Sequence, residues 1–183
     1  MGGSVLFQDA LAARLEIIKP SKIDIENFLT KHPFQFTKNV ENLINILHSN
    51  GKYVYLVSGG FRQMINPIAE ELRIPSHRIY ANNLLFSRDT VGTFDGFDAK
   101  EMTSRDGGKP AVIKLLMDAH GYKNIVMVGD GVTDMQAKPP AQAFIGFGGV
   151  IVREKVQAGA DWFIHDFQVI FILSSALESR LVY

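Results

Sequence analysis

The 183-residue sequence contains no cysteine, which excludes disulfide bonds and thiolate metal sites. It also has no net charge, because 19 basic residues balance 19 acidic ones. This balance gives no reason to expect nucleic acid or an anionic membrane as a partner. No apolar run approaches the about 20 residues that span a bilayer, and the first residues lack the basic and apolar regions of a secretory signal. These absences favour a cytoplasmic protein.

The residues that are present are typical of a soluble globular protein, with 46% hydrophobic and 21% charged. The chain is long enough for a sizeable core. Apolar spacing predicts helices within residues 5–29, interrupted at Pro20-Ser21, and a further helix from Val40 that Asn50-Gly51 ends.

From residue 53 onward, short apolar β-prone runs alternate with helical patterns. The strands are predicted at 53–57, 79–81, 84–86, 93–97, 125–128, 143–147 and 162–164, with helices over 62–72 and from Pro110. Such alternation predicts right-handed βαβ units and a parallel sheet. Ligands bind beyond the carboxyl ends of such strands. We therefore expect Ser58 and Asp130, each placed just after a buried strand, to share one crevice.

The segment Gly129-Asp130-Gly131-Val132-Thr133-Asp134 follows the strand at 125–128. It brings two carboxylates to a strand tip, where the glycines are expected to permit a sharp turn. Carboxylate oxygens suit Mg²⁺, which binds one or two of them together with phosphate oxygens and waters. The alternative is a plain turn at Asp130 with a helix cap at Asp134.

Two glycine-rich segments are candidates for binding a phosphate group. Ser58-Gly59-Gly60 offers a hydroxyl and consecutive backbone N–H groups. Gly107-Gly108-Lys109 precedes a helix and offers a cation, but it does not have the spacing of a P-loop. Each has a plain alternative: a Ser-Gly-Gly loop is common, and a lysine before a helix is usually solvated.

The order of hydroxyl, lysine and Gly-Asp-Gly-x-x-Asp resembles the haloacid dehalogenase superfamily, and within it the phosphoserine phosphatase branch. The resemblance covers residues 1–167. Segments that carry it include Met1-Gly2-Gly3, residues 57–62, 107–109, 129–134 and 143–149. It implies a Rossmann-like three-layer α/β/α fold with a parallel sheet and a partial helical cap. Residues 1–36 would be the remaining half of the cap, and residues 37–183 the core.

The resemblance also implies roles for individual residues. Ser58 would bind phosphate, Lys109 would neutralise it, Asp130 would bind Mg²⁺, and Asp134 would support the metal site without binding the ion itself. Arg14 would pair with the carboxylate of the substrate, O-phospho-L-serine. The substrate-binding or phosphate-binding set is Met1, Gly2, Arg14, Ser58, Gly59, Gly60, Lys109 and Thr133, and the catalytic set is Ser58, Lys109 and Asp134.

The family's nucleophile motif is absent from this sequence. In the family, a strand ending in Asp-x-Asp provides a nucleophile and a general acid and base. The acidic pairs at 24–26 and 95–98 do not follow a buried strand. The resemblance places the missing strand centrally, so its loss would expose two strand edges and unpaired backbone groups. We expect residues 1–183 to be inactive alone, as a fragment or a product of an internal start.

Two other functions remain open at this point. A non-catalytic protein could bind phosphate ligands or a full-length partner, and another phosphatase of the superfamily could act on a different phosphate ester. The resemblance also admits a homodimer. After residue 167 the sequence departs from the family, with an apolar run at 169–173 that is prone to aggregate if exposed.

Overall fold

The computed structural model describes residues 6–170. In chain order its helices and strands are α1 (Phe7–Ile18), α2 (Lys22–Lys31), α3 (Val40–Ser49), β1 (Leu56–Phe61), α4 (Arg62–Glu71), β2 (Ile79–Asn82), β3 (Leu84–Phe86), β4 (Phe94–Phe97), α5 (Gly108–His120), β5 (Val126–Gly129), α6 (Val132–Met135), β6 (Ala143–Phe147), α7 (Glu154–Gly159) and β7 (Trp162–Ile164). Short 3₁₀ helices cover Ser76–Arg78 and Met102–Ser104.

The chain forms two compact units. The first contains the residues up to Phe34 together with Tyr55–Val112, and the second contains Gln35–Val54 and the residues from Ile113 onward. The division into a cap over 1–36 and a core over 37–183 stays a prediction.

In the first unit, α1 and α2 lie on either side of the predicted break. Lys19 ends α1 in the left-handed conformation, with φ 41°. Ser21 then begins α2 with reciprocal hydrogen bonds: its hydroxyl accepts from the backbone N–H of Asp24, and the Asp24 carboxylate accepts from that of Ser21. This capping box satisfies donors at the helix start and sets where α2 begins.

The strands of the first unit form a parallel pair and a hairpin. β1 runs parallel to β2, and α4 lies between them along the chain. β3 and β4 form the predicted antiparallel hairpin. The first predicted strand was placed three residues too early: β1 begins at Leu56 and runs to Phe61, so the Ser-Gly-Gly segment lies inside the strand. Pairing of Phe61 with Asn82 extends the strand past an irregularity in register.

The core of the first unit is built around Leu11, Leu15 and Leu84. Leu11 and Leu15 are one helical turn apart on α1, so they present one apolar face. Phenylalanines from both strand pairs and from the start of α1 complete this cluster: Phe7, Phe61, Phe86, Phe94 and Phe97. This packing fixes α1 over the region where β1 carries its Ser-Gly-Gly segment.

In the second unit, β5, β6 and β7 form a parallel sheet in that order. Its core contains Phe144, Val156 and Ala137, all at most 1% exposed. α7 was not predicted, since its six residues hold a single buried one, Val156, and show no helical repeat. The expected start of α5 at Pro110 was two residues late, because Gly108 and Lys109 already belong to its first turn.

The strand β5 is less buried than its sequence indicated. Val126 is 52% exposed and Val128 37%, while Met127 between them is 7% exposed. Within residues 6–170, β5 pairs with one strand, β6, and β1 likewise pairs with one strand, β2. Each therefore has an open edge. The alternation along β5, with buried Met127 between two exposed valines, shows that one face of this strand is also little covered.

Two further expectations concern membrane-spanning segments and the ends of the chain. None of the helices in the described part of the chain is long and apolar enough to cross a membrane. Met1, Gly2 and the residues from 171 onward lie outside the described residues, and so does the end of the apolar run at 169–173.

Candidate active site

Ser58 lies within β1 and is half-buried. Its hydroxyl oxygen accepts a hydrogen bond from the backbone N–H of Gly60, with a distance of 3.0 Å from N to Oγ. The N–H of Gly60 is therefore used within the segment, and the expected row of N–H groups that binds an anion stays a prediction. A hydroxyl that accepts in this way can still donate its own proton to a ligand oxygen.

Next to this segment lies a cavity of about 230 Å³. Arg14 on α1 and Gly59 on β1 line it together. Its other walls are apolar: Phe7, Leu11, Leu15, Ile18 and Phe61. The first unit thus combines an exposed arginine, an apolar enclosure and the backbone next to Ser58, a combination that can accept a small anionic molecule.

Lys109 lies in the first turn of α5 and is half-buried. The residue before it, Gly108, is packed so closely that a Cβ there would collide with the carbonyl oxygen of Met102 and would lie 2.8 Å from Cα of Thr103. Gly108 is therefore needed for this approach. The 3₁₀ helix at Met102–Ser104 thereby fixes the start of α5 and with it the position of Lys109.

In the second unit, Asp130 directly follows β5 and Asp134 lies in α6. Asp134 is 6% exposed, and its Oδ2 accepts a hydrogen bond of 2.9 Å from the backbone N–H of Gly131. This bond is the N-terminal cap of α6. Asp134 therefore shapes the turn that presents Asp130, as the sequence alternative of a cap also proposed.

The two glycines beside Asp130 were expected to permit a sharp turn, but neither is needed for that reason. Gly131 has φ −109°, an ordinary value for any residue. At Gly129, a Cβ would collide with the side chain of Asp134. Gly129 thus makes room for the buried carboxylate of Asp134, and flexibility of the turn is not what the position requires.

Asp130 is bound by an arginine that the sequence did not single out. Nη1 of Arg153 donates to the carbonyl oxygen of Asp130 at 2.8 Å and also to its Oδ2. The pair is open to solvent, since the side chain of Arg153 is 43% exposed and that of Asp130 54%. Arg153 immediately precedes α7, so the start of this helix carries a cation to the tip of β5.

The predicted site residues fall into two groups. Arg14, Ser58, Gly59, Gly60 and Lys109 belong to the first unit, while Asp130, Asp134 and the exposed Thr133 belong to the second. The structure brings Arg14 and Gly59 to one cavity and joins Asp134 to the turn that follows Asp130. That Ser58 and Asp130 share one crevice stays a prediction.

The donor set at Asp130 is compatible with a divalent cation bound through few protein ligands. Among residues 6–170, no three His, Asp or Glu side chains are grouped as a metal cage. Asp130 nevertheless supplies one exposed carboxylate at a strand tip, and Mg²⁺ commonly takes one or two carboxylates plus phosphate oxygens and water. Asp134, already engaged with Gly131, fits a supporting role.

Comparison with known families identifies the family of this chain. Residues 7–137 match the model of the haloacid dehalogenase-like hydrolases, a stretch that includes β1, the start of α5, β5 and Asp134. The chain therefore belongs to the haloacid dehalogenase-like hydrolase family.

The particular branch follows from curated relatives. The chain is 46% identical to a phosphoserine phosphatase from Bos taurus over 91% of its own length and 73% of that protein. It is 49% identical to a chloroplastic phosphoserine phosphatase from Arabidopsis thaliana over 92% of its length, but it spans only 57% of that relative. Within the superfamily, its branch is that of the phosphoserine phosphatases.

Solved structures support the same fold. A phosphoserine phosphohydrolase-like protein from Francisella tularensis superposes with a TM-score of 0.76 at 28% identity, covering 92% of this chain and 77% of that one. Together with the parallel strands and intervening helices, this similarity confirms the predicted Rossmann-like α/β fold.

Three polar residues near the candidate site were not predicted from the sequence: Asn82, Thr103 and Arg153. Asn82 ends an apolar strand, and Thr103 lies in a segment without periodicity, so neither stands out. Arg153 gave no signal either, because α7, the helix that it precedes, could not be recognised from its sequence.

Proposed function

We propose that this chain carries the phosphate-binding, substrate-binding and metal-binding parts of a phosphoserine phosphatase, which hydrolyses O-phospho-L-serine to L-serine and phosphate, the last step of serine biosynthesis. One observation supports the substrate above all others: Arg14 and Gly59 line the same cavity. An arginine is suited to a carboxylate, and Gly59 is the neighbour of the proposed phosphate ligand Ser58.

The roles proposed for the other residues are those that the family resemblance implies. Ser58 donates its hydroxyl proton to a phosphate oxygen, and Lys109 balances the phosphate charge from the first turn of α5. The resemblance implies that Thr133, exposed on α6, and Met1 and Gly2, which lie outside the described residues, also bind the substrate. Gly59 and Gly60 let the substrate approach the backbone closely.

Asp130 would bind Mg²⁺, and Asp134 would hold the turn that presents Asp130. Bound there, the cation would neutralise charge on the phosphoryl group. Arg153, which contacts the same carboxylate, would have to release Oδ2 for the cation to bind. No other side chain of the sequence replaces the family's Asp-x-Asp, so we propose that residues 1–183 are inactive alone.

Phosphate release from phosphoserine tests this proposal. Residues 1–183 with Mg²⁺ should give no turnover, and joining them to an N-terminal segment of a phosphoserine phosphatase that carries Asp-x-Asp should restore it. In the completed chain, Asp130→Asn should remove most of the activity. Turnover by residues 1–183 that survives Asp130→Asn would refute the assignment of the site.

Arg14 tests the substrate separately. In the completed chain, Arg14→Ala should raise KM for phosphoserine at least tenfold, the effect of losing about 1.4 kcal/mol of binding, and should affect an ester without a carboxylate little. Arg88→Ala is a matched control, because Arg88 is exposed and does not line the cavity. Equal KM values for Arg14→Ala and Arg88→Ala would point to another phosphate ester.

A second function is favoured by the open edges of β1 and β5. A non-catalytic chain could pair through these edges with a full-length phosphatase, because unpaired strand edges recruit other strands. Size-exclusion chromatography of residues 1–183 with and without a full-length relative distinguishes the two: co-elution supports this function, and separate elution refutes it.

We propose a cytoplasmic location, and a homodimer is the assembly that the resemblance admits. The balanced charge supports a small-molecule substrate over nucleic acid or a membrane. Fractionation of cells and the mass of the purified protein test these two statements.

A further inference from the structure

Asn82 ends β2 and is completely buried, with 0% of its surface exposed. Both ends of its side-chain amide are used. Nδ2 donates to the carbonyl oxygen of Gly59 at 2.8 Å, and Oδ1 accepts from the hydroxyl of Thr103 at 3.0 Å. Thr103 itself is 4% exposed. Few buried polar side chains are tolerated without such partners, so the three residues form one fully hydrogen-bonded chain.

The bond to Gly59 replaces a missing part of the strand ladder. β1 and β2 pair regularly at Leu56 and Val57, and again at Phe61, but their register shifts in between. The Ser58–Gly60 segment lies within this irregular stretch. Its backbone therefore needs another partner, and the side chain of Asn82 supplies one at Gly59.

The other end of this hydrogen-bonded network, Thr103, lies next to the segment that contains Lys109. Thr103 belongs to the 3₁₀ helix whose backbone packs directly on Gly108, the residue before Lys109. A shift of Thr103 would displace Gly108, because no space remains between the two backbones. Asn82 thus stands between the segment of Ser58 and the segment of Lys109, and it is bonded toward both.

We propose that Asn82 and Thr103 are positioning residues that hold Ser58 and Lys109 in the arrangement a phosphate group requires. This inference rests on the proposed phosphate site. Because the network is buried, water cannot replace its bonds when one is lost. The amide of Asn82 is suited to the task, since it offers a donor to one segment and an acceptor to the other.

Thr103 offers a matched pair of variants. Thr103→Val keeps the shape of the side chain and removes the hydroxyl, while Thr103→Ser keeps the hydroxyl and removes a methyl group. Inorganic phosphate is titrated into each, and binding is followed from the amide signals of residues 58–60 in ¹⁵N spectra. We expect Thr103→Val to weaken phosphate binding about fivefold, the effect of one lost hydrogen bond, and Thr103→Ser to bind within about twofold of the parent.

Thermal melting separates positioning from stability. A purely structural role would lower the melting temperature of Thr103→Val and leave phosphate affinity unchanged, which would overturn the proposal. If Thr103→Val does not fold, Thr103→Ala replaces it, again with Thr103→Ser for comparison, and unchanged affinity in the folded variant has the same meaning.

Ser58→Ala distinguishes failure of this inference from failure of the proposed function. If Ser58→Ala abolishes phosphate binding while Thr103→Val does not weaken it, the positioning role is wrong and the phosphate site stands. If neither the parent nor any variant binds phosphate at these residues, the phosphate site itself is wrong, and the inference falls with it.

Discussion

The Ser58 segment within β1 and the turn after β5 are held in place by different means. At β1, the segment of Ser58 is tied by neutral hydrogen bonds through Asn82, which is 0% exposed. At β5, the carboxylate of Asp130 is held by an ion pair with Arg153, and both side chains are about half exposed. Only the turn behind Asp130 is fixed by a buried group, Asp134.

The difference indicates how each of the two can work with a ligand. A buried neutral network fixes a geometry, because its groups cannot exchange their hydrogen bonds for bonds to water. A solvated ion pair contributes little, typically up to about 1 kcal/mol, so another cation can displace it at low cost. We infer that the Ser58 segment keeps one geometry when a ligand binds, and that Asp130 after β5 can exchange Arg153 for a cation.

The largest expected effect comes from filling the space behind Asp130. Gly129→Ala would place a Cβ against the buried side chain of Asp134, so we expect the free energy of unfolding to fall by about 1–3 kcal/mol. Gly59→Ala is the comparison at β1, where the nearest atom is Cζ of Phe7 at 3.2 Å and a ring can shift. Urea unfolding measures both, and a larger loss for Gly59→Ala would contradict the inference that Asp134 fixes its turn rigidly.

Removing Arg153 should strengthen cation binding at Asp130. Without the competing guanidinium, we expect Arg153→Gln to bind Mn²⁺, a paramagnetic substitute for Mg²⁺, about fivefold more tightly, equivalent to about 1 kcal/mol. Broadening of the amide signals of residues 129–134 during Mn²⁺ titration measures the affinity without any need for catalysis.

Lys155→Gln is the control for Arg153→Gln, because it removes the same charge from an exposed position on α7. It should change Mn²⁺ affinity less than Arg153→Gln does. Weaker binding in Arg153→Gln would mean that the arginine supports the cation site, and the picture of an exchangeable partner at β5 would be wrong.

The smallest effect concerns acid stability of the sheet that contains β5. A hydrogen bond from Lys138 and a second from the backbone N–H of Phe144, at 2.7 Å, lower the pKa of Asp161. Since the folded pKa lies below the unfolded one, the stabilisation is complete above about pH 4. It is lost as the pH falls through the folded pKa.

As the pH falls below about 4, the free energy of unfolding of Asp161→Asn should therefore decrease less than that of the parent. Circular dichroism melting at several pH values measures this. Asp118→Asn, which removes an exposed carboxylate of α5 that pairs with Lys114, is the control for the loss of one surface charge. Parallel curves for all three proteins would show that Asp161 does not contribute to the acid sensitivity of this unit.

Local patterns were enough to predict most elements. The Pro20-Ser21 break, the hairpin around residues 87–92 and the strands at 143–147 and 162–164 depend on neighbouring residues, whose effects act within a few positions. The start of β1 was misplaced because Ser-Gly-Gly has weak strand propensity, and its strand assignment depends on pairing with β2.

By itself, the sequence determined the absence of cysteine and of an Asp-x-Asp strand, the type of most elements, and the motif Gly-Asp-Gly-x-x-Asp at a strand tip. Only the tertiary structure decided that Arg153 pairs with Asp130 and that Asn82 binds Gly59. Both contacts join residues 23 positions apart. No local periodicity encodes such a contact, because it exists only once the path of the chain has brought its two residues together within their unit.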